Sequence, residues 1–381
     1  MSGPLLKVEN LAKHFPIGGG FLKRTRQVVR AVEGVSFSVD AGETFCIVGE
    51  SGCGKSTVAR LMMRLTDPTG GRVLIDGIDI AGLKKHELRA SRRRMQMVFQ
   101  DPYSSLNPRL TAGQIITEPV ENFERLSGRQ RQALAADLLK KVGMSPEMMH
   151  RLPSEMSGGQ RQRLGIARAL ALNPMLVILD EAVSALDVSV QAQILNLLMD
   201  LQQQLGIAFV FISHDLGVVE HIGHRVAVMY LGRIVEVAPC EALFAGPVHP
   251  YTEALIAASP VPDPTRVRLE APVQGEVPSP INPPTGCAFH PRCPLAQDRC
   301  RVEIPPLVSM ADGRAVACHV RAPAPDMSAS TTSAATYPDE AAAPTENVVS
   351  SPVAWLTSAE RSIPDLNRRE KDDGETFSAP R

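Results

Sequence analysis

The stretch GESGCGKST, Gly49 to Thr57, constrains this chain more than any other. It follows the apolar run TFCIV (Thr44–Val48) and precedes VARLMMRL (Val58–Leu65). A continuous apolar run of that length suits a strand buried on both faces, and the segment after it reads as a helix. Strand, Gly-rich loop and helix in that order fit the pattern G-x-x-x-x-G-K-S/T. In that pattern glycines let the backbone wrap a β-phosphate, Lys55 reaches the β- and γ-phosphates, and the Ser56 hydroxyl coordinates Mg²⁺. Gly49, Ser51, Gly52, Cys53, Gly54, Lys55, Ser56 and Thr57 are therefore the candidate nucleotide cradle.

A phosphate cradle needs acidic and polar partners, and the sequence supplies them at other strand ends. LVILDE (Leu176–Glu181) is an apolar run ending in two carboxylates. Asp180 is placed to hold Mg²⁺, and Glu181 to polarise an attacking water. IAFVFIS (Ile207–Ser213) ends in His214, a candidate γ-phosphate sensor, and Gln100 in MVFQDPYSS follows another short apolar stretch, within reach of the metal or water. Three strand ends would thus converge on the edge where open parallel sheets bind ligands. Strands alternating with helices predict an α/β fold built on a P-loop NTPase core with a parallel sheet. Between about 90 and 172 the sequence turns mostly helical, which predicts an inserted helical subdomain.

SEMSGGQRQRLGIARAL (Ser154–Leu170) opens like a helix awaiting an anion, with unpaired N–H groups and the positive dipole end at Ser157, Gly158 and Gly159. It has no lysine or metal ligand of its own at that end. By the residues alone it is half of a site.

Bulk properties narrow the partners. A formal net charge of −1 gives no global basic field, so nucleic acid is not expected as a partner. No stretch approaches the roughly 18 apolar residues that span a bilayer, and MSGPLLKVEN lacks the apolar segment of a secretory signal. A cytosolic chain is expected, in which seven cysteines argue against a disulfide framework. The sequence divides into a nucleotide-binding domain over 1–245, a Pro-rich region over 246–322, and a tail over 323–381. The tail's Ala, Ser, Thr, Pro and acidic residues, with a lone Trp355, predict disorder.

The order GESGCGKST, Gln100, MSGGQ, LVILDE, SALD (Ser184–Asp187) and His214 resembles the ATP-binding subunit of ABC transporters. That resemblance implies a head-to-tail pair in which Ser157, Gly158, Gly159 and Gln160 contact the γ-phosphate of ATP held by a second ATPase. Asp187 would link the two sites. Phe15, in KHFP, matches the position of the family's adenine-stacking aromatic. The runs FQDPYSSLNPRLT (Phe99–Thr111), SALDVSVQAQILNLL (Ser184–Leu198) and HPYTEAL (His249–Leu255) are similar to the oligopeptide/dipeptide permease branch. The resemblance implies ATP hydrolysis, with Glu181, His214 and Gln100 as catalytic residues, coupled to import of di- or oligopeptides. It also implies a second, different ATPase, two membrane permease subunits, an indirect extracytoplasmic peptide-binding protein, and a place on the cytoplasmic face of the membrane. HPY on its own is a turn with an aromatic and carries no functional weight.

Two departures from the family pattern stand out. Met156 replaces the usual Leu before SGGQ, a volume-conserving change. Ala182 stands where Pro usually follows the catalytic Glu, which removes a φ restraint beside the base.

Two expectations concern cysteines. Lys55 and nearby N–H groups favour a thiolate at Cys53, against the alternative of a buried inert thiol. Cys287, Cys293, Cys300 and Cys318 have five, six and seventeen residues between neighbours, in a segment with little apolar material. Four thiolates on zinc or an iron–sulfur cluster would supply its folding energy. Members of the permease branch carry a [4Fe–4S] cluster at matching cysteines, which favours iron.

Overall fold

The computed structural model describes residues 3–18, 27–259 and 275–322. Antiparallel strands β1 (Leu6–Ile17) and β2 (Gln27–Val39) come first, followed by β3 (Thr44–Val48), helix α1 (Lys55–Met62), β4 (Gly70–Ile75) and the short β5 (Ile78–Asp79). Helix α2 (Lys85–Arg94) leads into β6 (Met95–Val98), after which α3 (Pro102–Ser105), α4 (Ala112–Glu121), α5 (Gly128–Lys141) and α6 (Gly158–Leu170) follow without a strand between them. Alternation then resumes with β7 (Leu176–Asp180), α7 (Val188–Leu205), β8 (Ala208–Ile212), α8 (Leu216–Ile222), β9 (Arg225–Tyr230) and β10 (Arg233–Pro239). Helices α9 (Cys240–Ala245) and α10 (Pro250–Ala258) come next, and the described chain ends with α11 (Asp298–Val302), β11 (Val308–Ser309) and β12 (Ala315–Val316).

Among the described residues these strands make two sheets. The larger has the order β11-β12-β10-β9-β3-β8-β7-β6. Its centre is parallel, because β3, β7 and β8 are buried along their whole length, mostly apolar, and need cover on both faces. Its far edge is antiparallel, so the sheet is mixed rather than the parallel sheet expected. The physical reason is that β9 and β10 are joined by a tight turn at Leu231–Gly232, which reverses the chain without a crossover helix. The second sheet, β2-β1-β4-β5, is antiparallel throughout. Its long strands are only half buried, so no continuous apolar run announces them.

The helical insertion begins later than its sequence composition suggests, because residues 95–98 form β6, the edge strand beside β7. Thr111, Ser127 and Ser157 each cap a helix reciprocally with a glutamine three residues on, at α4, α5 and α6. Gly206, at φ 66°, ends α7 in the left-handed conformation. The expected tail over 323–381 lies outside the described residues.

Candidate functional site

The carboxyl ends of β3, β7 and β8 deliver the phosphate loop, the acidic pair and His214 to one edge of the large sheet. Glycine is required twice in the loop. A Cβ on Gly49 would sit 2.2 Å from the Met229 carbonyl oxygen, and one on Gly54, at φ +107°, would sit 2.2 Å from that of Ala31. The loop then turns into α1 so that buried Lys55 donates from Nζ to the carbonyls of Gly49 and Glu50 at 2.8 and 2.9 Å. A cation folded back on its own loop carbonyls can transfer to phosphate oxygens when they arrive.

Ser56 and Asp180 meet directly, the hydroxyl donating to Oδ1 at 2.9 Å. Burial raises the Asp180 carboxyl above its usual range, the Ser56 hydrogen bond opposes that, and the neighbouring Glu181 adds to it. A hydroxyl and a carboxylate placed so are suitable ligands for part of an Mg²⁺ shell. Glu181 Oε2 accepts from Gln100 Nε2 at 2.8 Å and lies 3.4 Å from His214 Nδ1. Glu181 itself holds φ 48°, a strained value for a non-glycine residue. With alanine at 182, the turn after it is held by Ser184, whose N–H and hydroxyl both donate to the Glu181 carbonyl at 3.2 and 3.0 Å. A cavity of about 300 Å³ is lined among others by Ser51, Gly52, Gly54, Lys55, Ser56, Thr57, Gln100 and Glu181.

Other sequence candidates stand apart from this cavity. Phe15, exposed on β1 with Lys13 Nζ 5.1 Å from its ring centroid, is not in the lining, although its strand partner Val29 is. Ser157, Gly158, Gly159 and Gln160 are not in the lining either. They form the start of α6, packed against the segment after Glu181: a Cβ on Gly159 would lie 2.6 Å from Val190 Cγ1. Asp187 is exposed at the start of α7 and makes no side-chain cap there. Met156 is buried, as a volume-conserving replacement for leucine requires.

The cysteines depart from expectation. Cys53 is 5% exposed, and desolvation raises its thiol pKa despite Lys55 beside it, so the reactive thiolate gives way to the inert buried thiol. Cys287, Cys293, Cys300 and Cys318 are all free and share one neighbourhood. Burial first, then Cys300, Cys293 and Cys318, pushes the Cys287 thiol up to about 11. Yet among the described residues no group of three or more His, Cys, Asp or Glu side chains is arranged to hold a metal ion. A closed four-thiolate centre is therefore not shown. The segment is anchored instead by Phe289, 1% exposed, which packs on Tyr230 and Tyr251 with ring centroids 5.3 and 5.4 Å away.

Three residues at the site escaped the sequence reading. Glu50 in the phosphate loop is gripped by Arg292 and by Tyr251 of the HPY stretch. Only the pairing across some 200 to 240 residues gives them meaning, and no local pattern encodes it.

A family model described as "ABC transporter" matches residues 32–184, and one described as "Oligopeptide/dipeptide transporter, C-terminal region" matches 235–300. The "Probable peptide ABC transporter ATP-binding protein y4tS" of Sinorhizobium fredii is 81% identical over 324 residues, 85% of this chain and 92% of that protein. The oligopeptide transport ATP-binding protein AppF of Bacillus subtilis is 50% identical, over 83% of this chain and 97% of its own length. Among solved structures, a dimeric post-hydrolysis state of the ATP-binding cassette MJ0796 bound to ADP and Pi aligns with a TM-score of 0.55 at 31% identity, covering 62% of this chain and 98% of that one. With the phosphate loop, the acidic pair and His214 at one sheet edge, these likenesses show that the chain belongs to the ABC transporter ATP-binding family and is an ATPase.

Proposed function

We propose that this chain is the ATP-hydrolysing subunit that powers import of di- or oligopeptides, working on the cytoplasmic face of the membrane through partner membrane subunits. The observation that carries the reading is the Glu181 carboxylate, held at one oxygen by Gln100 and His214 beside the Lys55 cradle. Similarity to proteins named for peptide transport supplies the solute class. No helix among the described residues is long and apolar enough to cross a membrane, so the pathway for solute would belong to other subunits.

Ser56, Asp180 and Gln100 would hold Mg²⁺, which neutralises charge on the transferring phosphoryl group. Lys55 and the loop N–H groups position the β- and γ-phosphates, Glu181 orients and deprotonates the attacking water, and His214 contacts the γ-phosphate. Phe15 stacks the adenine. Ser157, Gly158, Gly159 and Gln160 complete the site of a second, different ATPase, and Asp187 lies between the two sites. This is in keeping with the start of α6 standing clear of the chain's own cavity. The working units are the nucleotide-binding domain over 1–245, with its helical subdomain, and a permease-type region over 246–322.

Cys287, Cys293, Cys300 and Cys318 are suited by chemistry to an iron–sulfur cluster, with zinc as the alternative, since four unpaired thiols share one place. Such a group would supply cross-linking to a segment poor in apolar residues. Anaerobically purified protein that is brown and holds iron supports the cluster; colourless protein with stoichiometric zinc replaces it.

The test of function is to purify the chain with its associated subunits from its native membrane and measure ATPase activity with and without peptides and their binding protein. Stimulation by peptides is expected. Two membrane subunits with activity indifferent to every peptide would overturn the solute class.

A further inference from the structure

The segment that follows the nucleotide-binding domain reaches back into the phosphate loop at one residue, Glu50. The Arg292 guanidinium forms a two-pronged pair with the Glu50 carboxylate, Nη1 to Oε2 at 3.0 Å and Nη2 to Oε1 at 3.1 Å. Its side chain is 8% exposed and that of Glu50 29%, so the pair is largely withdrawn from water. Arg292 Nη1 also donates to the Tyr230 hydroxyl at 3.3 Å, while Nε is buried without a partner. The guanidinium therefore directs its donors mainly at one carboxylate.

The main chain of Glu50 is held as well. Its N–H donates to the hydroxyl of Tyr251, a fully buried ring of α10, at 2.9 Å. Its carbonyl receives Lys55 Nζ at 2.9 Å and the Cys53 N–H at 3.3 Å. Glu50 is thus the joint between the later segment and the lysine of the cradle. A third tether lies in the cavity lining, where the Arg30 N–H donates to the Pro280 carbonyl at 3.2 Å.

We propose that Arg292 and Tyr251 are positioning residues for ATP: by fixing the side chain and the N–H of Glu50 they hold the phosphate loop in its binding shape. The inference rests on the loop being the ATP site. Neither residue touches the phosphates; each acts through Glu50 and Lys55. Bidentate arginine–carboxylate pairs fix orientation as well as proximity, and small displacements of a cradle are felt strongly in binding and catalysis.

The test titrates MgATP into the purified full chain and follows turnover in the assembled complex for Arg292→Ala, Arg292→Lys, Glu50→Gln, Tyr251→Phe and the double variant Arg292→Ala with Glu50→Gln. Arg292→Ala and Glu50→Gln should each weaken MgATP binding roughly tenfold, with kcat at saturation changed much less. Arg292→Lys should fall between them and the parent, and the double variant should be no weaker than the worse single one, because both remove the same contact. Tyr251→Phe, losing one neutral hydrogen bond, should weaken binding roughly threefold. If Arg292→Ala does not fold, Glu50→Gln and Tyr251→Phe leave the packing intact and carry the test. Variants that lower the melting temperature while MgATP affinity stays at the parent value would overturn the proposal, and so would additive effects in the double variant. Lys55→Ala in the same titration separates the failures: if it too leaves affinity unchanged, the phosphate-loop assignment is wrong; if it abolishes binding while Arg292→Ala is silent, only the positioning role is.

Discussion

The phosphate loop and the start of α6 are both glycine-bearing turns that open a helix, yet they are built differently. In and beside the loop each charged group already has a partner: Lys55 has the loop's own carbonyls, Asp180 has Ser56, Glu181 has Gln100 and His214, and Glu50 has Arg292. At α6 Ser157 and Gln160 exchange 3.0 and 3.3 Å hydrogen bonds in a capping box. An anion bound at the loop meets a cation, a metal-binding pair and a base. One bound at α6 would meet N–H groups and a helix dipole, as the role proposed for Ser157, Gly158, Gly159 and Gln160 in a partner's site requires. On the proposed reading the contrast separates a whole site from half of one.

The largest effect expected from breaking this contrast is at the base. Glu181→Gln keeps the shape and the Gln100 contact but cannot take a proton, so ATP hydrolysis by the complex should fall by roughly 10²–10⁴-fold while ATP binding persists. Turnover at the parent rate would remove Glu181 from the mechanism.

A smaller effect sharpens the contrast through pH. His249 accepts the Tyr251 N–H at 3.0 Å and starts α10 on the loop's side of the molecule. Burial first, then the Arg321 charge, lowers its pKa from 6.5 to about 4. The folded pKa lies below the unfolded one, so the unfolded chain takes the proton first as pH falls. Stability from the neutral ring is whole above pH 6.5 and drains away down to about pH 4, by about 1.4 kcal/mol per pKa unit. His249→Asn keeps a capping side chain and removes that titration. The difference in melting temperature between parent and variant should therefore depend on pH across 4 to 6.5. Amide protection around Tyr251, corrected for the intrinsic exchange rate at each pH, should fall there, while that at Ser157–Gln160, which contains no titrating side chain, should follow only the global change. A pH-independent difference would refute the role given to His249.

How much could be read beforehand follows from how local each feature is. Apolar runs at 44–48, 176–180 and 208–212 announce buried strands because burial on both faces permits little else. The residues at their carboxyl ends were legible for the same reason, since a strand end and a motif within ten residues define them. The half-buried strands β1 and β2 were mostly hidden, as alternation weakens when register shifts interrupt the ladder at Val8, Leu11 and Lys13. Between the two readings of Cys53 the sequence could not decide, because it shows the neighbouring lysine but not the backbone and Met229 packed around the loop. The grip of Arg292 and Tyr251 on Glu50 depends wholly on tertiary folding. A motif near the cysteines and another after α9 give no sign that they meet at a loop some 200 residues earlier.

The difference between whole and half site is tested most directly by the MgATP affinity of the isolated chain carrying Ser157→Arg. The added side chain lies at the exposed start of α6 and outside the Lys55 cavity. Affinity within about twofold of the parent is predicted, a shift under about 0.5 kcal/mol, alongside loss of ATPase activity once the chain is assembled with its partner. Weakening of the isolated chain's own binding to the level of Lys55→Ala would contradict the account, because it would place Ser157 in the same site as the lysine.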